Sequence, residues 1–194
     1  MGLVRTVVPR AWQRFEYFDA REVLIRLAQI EGRLLRGDGD DQAAPPQAPG
    51  SGSYGVRRLA ALFCYGMSRL IGRPVAYAPV ESRDFDCVAR WMIDETPHYL
   101  PVQIKELLPG ERDPIGSFNA ELASMSKRDT SPQLCVAIYM NRQLRLDPAS
   151  LNVPELALAE LWAFGAVVPD KSRWMLWGNL LSSPTTIEFA YPTY

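Results

Sequence analysis

The chain has 194 residues, with 21 Lys and Arg against 22 Asp and Glu, one His and three Cys, for a formal net charge of −1. At about 100–200 residues per domain this length predicts a single compact domain. A hydrophobic fraction of 47% and a charged fraction of 22% exclude wholesale disorder and fibrous repeats, and the charge balance excludes a uniformly basic nucleic-acid coat.

Within that domain the pattern divides into an N-terminal helical segment (1–36), a flexible linker (37–55) and a main body (56–194). Residues 19–36 carry Val23, Leu24, Leu27, Ile30 and Leu34 at spacings of three and four, with Asp19 placed to cap, which predicts a helix. The next 19 residues, GDGDDQAAPPQAPGSGSYG, hold five glycines and three prolines and lack the apolar side chains a core needs. Asp38, Asp40 and Asp41 there have the look of a calcium loop, but Ala43 and Pro49 stand where glycine and glutamate are required.

A second helix is expected over 54–72, with Leu59, Leu62, Phe63, Met67 and Leu70 on one side and Gly72-Arg73-Pro74 at its end. Extended segments follow at 75–80, 85–93 and 99–107, the last two separated by the turn-like Asp94-Glu95-Thr96-Pro97. Ser117 is read as opening a third helix that carries Phe118, Leu122 and Met125, and 134–140 as a further strand. Leu156 to Phe164 reads as an amphipathic helix, and 173–181 with 186–191 as a hairpin turning at Ser182-Ser183-Pro184. The class is therefore α/β (α+β): an α-β-β-β-α-β core with a mixed sheet, an added N-terminal helix, and a C-terminal helix and β-hairpin.

Most catalytic chemistries fail by inventory. There is no G-x-S-x-G, no phosphate-cradling P-loop and no C-x-x-C, and His98 is the only histidine. Cys64, Cys87 and Cys135, each among apolar residues, suit reduced core thiols. With no signal-like N-terminus and no apolar run of membrane length, the expected location is the cytoplasm, away from any membrane.

What remains is a pair of strands with polar residues where apolar ones are expected. Period-two alternation puts Asp84, Asp86, Val88 and Arg90 on one face of the first, and Gln103 and Lys105 on one face of the second, with Glu106 opposite. If the strands pair as a hairpin, one register brings Asp86 to Gln103 and Lys105. Oxygen ligands beside a lysine suit a hard divalent ion such as Mg²⁺ that also takes an oxygen from a substrate phosphate.

Asp86, then Gln103-Ile104-Lys105 after 16 intervening residues, within an α-β-β-β-α-β order, resemble the PD-(D/E)XK (restriction-endonuclease-like) nuclease superfamily in a Q-x-K form. The resemblance implies a Mg²⁺-dependent nuclease acting on DNA or RNA. Asp86, Gln103 and Lys105 would be catalytic, and Asp86, Gln103 and the Ile104 carbonyl would hold the metal. The chain departs from the family pattern in two places: Phe85, not proline, precedes Asp86, and neutral Gln103 replaces an acid. A compensating carboxylate is sought in Glu22, Glu31, Glu81 or Asp84.

Arg57, Arg58, Arg69 and Arg73 give the second helix a charge of +4 with no acid, a candidate phosphate-backbone surface. Trp91, Trp162, Trp174, Trp177, Phe164, Phe189 and Tyr191 are either base-stacking or core residues. The alternative function is a nuclease-fold binding or assembly module without catalysis, with a homodimer or protein partner on the C-terminal hairpin.

Overall fold

The computed structural model describes residues 9–36, 53–107, 113–126, 131–141 and 146–193. The linker expected over 37–55 lies outside them, except for its last three residues, which already belong to a helix. In chain order the elements are β1 (Phe18–Asp19), α1 (Ala20–Arg36), α2 (Ser53–Ile71), β2 (Ala76–Pro79), β3 (Cys87–Ile93), β4 (Thr96–Leu107), α3 (Pro114–Met125), β5 (Cys135–Met140), β6 (Glu160–Ala166), β7 (Arg173–Gly178) and β8 (Thr185–Ala190). Two short 3-10 helices, Trp12–Arg14 and Pro148–Ser150, complete the described set. The chain is a mixed α+β protein.

All eight strands form one sheet in sequence order, β1 to β8. Pairings are antiparallel except β4 with β5 and β5 with β6. Each parallel step needs a crossover. α3 supplies the first, and the stretch between β5 and β6 the second.

Two apolar cores lie on the two sheet faces. On one, Ala20 and Leu24 of α1 and Leu59, Leu62, Phe63 and Cys64 of α2 pack against Cys87, Ala89, Val102, Ala137, Phe164, Trp174 and Phe189. On the other, Phe118, Leu122 and Met125 of α3 pack against Val136, Ile138, Leu161, Ala163 and Trp177. Because successive strand residues face opposite ways, Val102 and Ile104 look toward α2 while Gln103, Lys105 and Leu107 look toward α3, consistent with the clusters they join. α1 thus shares the core of the main body.

Local signals explain most boundaries. Asp19 Oδ1 accepts from the Glu22 N–H at 3.0 Å and caps α1. Gly72, at φ +67°, ends α2 in the left-handed conformation, and Arg73 N donates to Ser68 O at 3.2 Å. α3 starts earlier than expected. Asp113, not Ser117, is the cap: it accepts from Gly116 N at 2.9 Å, with Pro114 at the first helical position, while Ser117 Oγ donates back to Asp113 O.

Two expectations are corrected. No helix forms over 156–164; the chain is irregular there until it enters β6 at Glu160. Alanine, leucine and glutamate favour a helix locally, but Leu161 through Ala166 are all buried, as befits a strand covered on both faces. The turn between β3 and β4 is also tighter than expected. Ile93 already pairs with Thr96, leaving Asp94 and Glu95 as a two-residue turn at φ 46° and 65°. The C-terminal hairpin is present, with Arg173 opposite Ala190 and Gly178 opposite Thr185.

Candidate functional site

β3 and β4 pair with Cys87 opposite Val102, which carries the preceding residue, Asp86, to the Gln103-Ile104-Lys105 segment. Asp86 N donates to Val102 O at 2.9 Å. Its side chain then takes over the ladder: Asp86 Oδ2 accepts from the Ile104 N–H at 2.7 Å. A carboxylate substitutes for a backbone carbonyl at the point where β3 begins, leaving the other carboxylate oxygen for a further partner. Burial raises the Asp86 carboxyl above its ordinary pKa, opposed by the Ile104 N–H and by the nearby Lys105 charge.

Lys105 extends toward α3, where its Nζ donates to Glu121 Oε1 at 2.9 Å, with side-chain exposures of 19% and 28%. Glu121 was not among the expected carboxylates. It is the one acid in the helix PIGSFNAELASM, one position from the buried stripe of Phe118, Leu122 and Met125. That placement is the signal that could have found it, since the flank of a helix's buried stripe meets the neighbouring strand. Gln103 lies on the same sheet face as Lys105 and is partly buried.

The acids anticipated from sequence are elsewhere. Glu22, Glu81 and Asp84 are exposed, and Glu31 pairs with Arg58 on the α1–α2 side. Glu106 faces away from Lys105 and accepts from Asn141 Nδ2 at 2.8 Å. Arg57, Arg58, Arg69 and Arg73 belong to α2 and its C-terminal end, the layer across the sheet from Lys105 and Glu121. Arg73 donates to Met92 O at 3.1 Å, and the Arg58 guanidinium also lies 6.0 Å from the Tyr191 ring centroid. The structure brings Asp86, Gln103, Ile104 and Lys105 together and holds the four arginines apart from them.

The aromatic residues named from sequence are largely core: Trp162, Trp174, Trp177, Phe164 and Phe189 are buried, and Trp91 stacks on His98 at 5.7 Å. A different aromatic group borders the site. Trp12 meets Phe85 at 6.1 Å and Tyr99 at 6.5 Å, and Tyr17 meets Tyr99 at 6.1 Å. Arg90 lies 4.2 Å over the Tyr17 ring. Tyr17 donates to Trp12 O at 2.9 Å, and burial together with Tyr99 pushes its phenol up to about 12 against the pull of Arg90.

The three cysteines are free and buried. Contact with Cys64, then burial, raises the Cys87 thiol well above its usual pKa, and burial does the same for Cys135. Neither thiol is a nucleophile at neutral pH.

The donor chemistry fits a hard divalent cation. The Asp86 carboxylate, the Gln103 amide oxygen and the Ile104 carbonyl are oxygen donors of the kind Mg²⁺ takes, one or two carboxylates sufficing when water and phosphate complete the octahedron. Among the described residues, no group of three or more His, Cys, Asp and Glu converges as a metal cage, and no helix is long and apolar enough to cross a membrane. Compared with protein-family models, curated proteins and solved structures, the chain has no match in any of the three.

Proposed function

We propose that the chain is a metal-dependent phosphodiesterase of restriction-endonuclease-like type, acting on DNA or RNA with Mg²⁺ or Mn²⁺. One observation carries the reading. Asp86, bound to Ile104 N, and Lys105, bound to Glu121, meet on adjacent residues of β4. The order α2, β2, β3, β4, α3, β5, with two antiparallel pairings followed by a parallel one, supports it.

Asp86 and Gln103, with the Ile104 carbonyl, would hold the cation, and Glu121, paired with Lys105, would be the nearest further carboxylate on this face. When bound, the metal supplies Lewis-acid polarisation of the phosphate and a lowered pKa for water. The protein's own part is positioning. Ile104 N–H fixes one Asp86 oxygen, and Glu121 fixes the Lys105 ammonium. From there Lys105 can orient the attacking water or offset charge on the phosphate oxygens.

The test is cleavage of plasmid DNA and structured RNA by the purified chain with Mg²⁺ or Mn²⁺. Lys105→Ala abolishes cleavage without changing the circular dichroism spectrum. Cleavage that survives Lys105→Ala overturns the assignment. Neutral Gln103 favours a second reading, a nuclease-fold binding or assembly module without catalysis, for which nucleic-acid binding is indifferent to EDTA and to Asp86→Ala. A dimer or protein partner on the C-terminal hairpin would have to use its outer positions, because Trp174, Trp177 and Phe189 are buried in the chain's own core.

A further inference from the structure

The segment before β1 lies against the sheet through Trp12 and Tyr17, both touching Tyr99. Alternation puts Tyr99 on the face of Gln103 and Lys105, and Tyr99 is paired with Arg90. Val88, on that same face by alternation, is completely buried. The aromatic group itself lies at the surface. Trp12, Tyr17, Phe85 and Tyr99 are all partly exposed, unlike Trp162, Trp174 and Trp177, which are buried.

Trp12 meets Phe85 edge-on at 78° and Tyr99 at 48°, so these rings are not stacked face to face, while Arg90 covers one face of Tyr17 at 4.2 Å. Arg90, Arg10 and Arg14 have no carboxylate partner among the described residues, and Arg10 and Arg14 are exposed on the same segment. The patch joins aromatic rings to three arginines, with the exposed acids Glu16 and Asp84 at its border. It adjoins the candidate site at Phe85, the residue before Asp86.

We infer that Trp12, Tyr17, Phe85 and Tyr99, with Arg90, form a stacking platform for the bases of a single-stranded nucleic acid, which it feeds toward Asp86 and Lys105. The inference rests on the phosphodiesterase reading and extends it by naming the substrate class. Ring faces bind bases whose own faces are free, as in single strands and not in duplexes, and arginine adds cation–π and phosphate contacts. From Tyr99 to Gln103 is four strand residues, about 14 Å, or roughly four rises of a stacked strand. A strand held on the platform is thus within reach of the candidate site.

The experiment is fluorescence anisotropy of the full chain in EDTA with labelled oligo(dT), oligo(U) and a DNA duplex, each of about 12 nucleotides per strand. Both single strands, or one of them, bind at least about tenfold tighter than duplex, and comparing the two separates DNA from RNA. Trp12→Leu and Phe85→Leu keep apolar volume but lose the aromatic face, and each weakens single-strand binding about 5- to 100-fold. Trp12→Phe restores most of the loss, which a fold defect would not. Single-strand binding unchanged in Trp12→Leu and Phe85→Leu, equal affinity for duplex, or no binding to either single strand overturns the inference. Binding that depends on Trp12, with no cleavage by wild type in Mg²⁺, sinks the phosphodiesterase reading and leaves the platform standing.

Discussion

Asp86→Asn separates a functional carboxylate from a structural one. The amide oxygen of asparagine can accept the Ile104 N–H as Asp86 Oδ2 does at 2.7 Å, so the rung between β3 and β4 survives. The variant surrenders the charge-assisted part of that bond, about 1 kcal/mol, and the attraction of Lys105. It also removes the burial penalty on the charge. That penalty is the larger effect, because the carboxyl pKa is displaced upward despite both favourable partners.

The sign follows from proton counting. Between the unfolded and folded pKa values the native state binds more protons, so stability falls as pH rises through the folded pKa. At neutral pH the charged Asp86 is a net cost. Asp86→Asn is expected to stabilise the metal-free chain by less than about 1 kcal/mol, because solvent screens the half-exposed carboxyl, with Tm rising about 2–4 °C per kcal/mol at this size. The gain shrinks below about pH 4, where aspartate is protonated in both states.

Magnesium reverses the order. Wild type gains about 2.7 kcal/mol at a hundredfold excess over Kd, and the variant, lacking the charged ligand, gains far less. Thermal melts of both proteins from pH 4 to 8, with EDTA and with Mg²⁺, read all of this. A variant less stable than wild type at pH 7 in EDTA, or one stabilised equally by Mg²⁺, refutes the reasoning and leaves Asp86 as a strand cap.

Glu121→Gln keeps a hydrogen-bond acceptor for Lys105 but removes the second carboxylate; a rise of about 10- to 100-fold in the Mg²⁺ concentration for half-maximal cleavage is expected, read by metal titration. Gly178→Ala places a Cβ 2.5 Å from Trp162 Cε3 and 3.0 Å from Leu161 O at φ +155°, which destabilises by about 3 kcal/mol or more in urea melts. Replacing Asp94-Glu95 by Asn-Gly relieves two left-handed residues and raises stability by about 1 kcal/mol, seen as a higher urea midpoint at constant slope.

Much of the fold is legible in the chain because it follows from local chemistry. Asp19 announces α1, Gly72 closes α2, and the alternation in 85–93 and 99–107 announces two strands whose pairing needs only the short turn between them. β6 was hidden. Its residues carry the helix preference of Ala, Leu and Glu, and only burial between α2 on one face and α3 on the other makes them a strand. Ile30 follows the helical spacing of α1 yet is 48% exposed, since periodicity marks a face and not how far its neighbours extend.

The sequence by itself determined the α-β-β-β-α-β order over 54–140 and, once β3 and β4 pair as a hairpin, the Asp86 and Gln103-Ile104-Lys105 juxtaposition, because strand period is a short-range property. Tertiary structure alone decided the partners. Glu121 reaches Lys105 because the α3 crossover sets the helix over the parallel edge of β4, and Trp12 reaches Phe85 and Tyr99 because the segment before β1 returns over the sheet. The arginines of α2 and Arg73 just beyond its end lie behind the sheet from Lys105 because α2 buries its apolar stripe on the other face. No spacing along the chain encodes which side of a sheet a helix will choose; the matching of buried faces does.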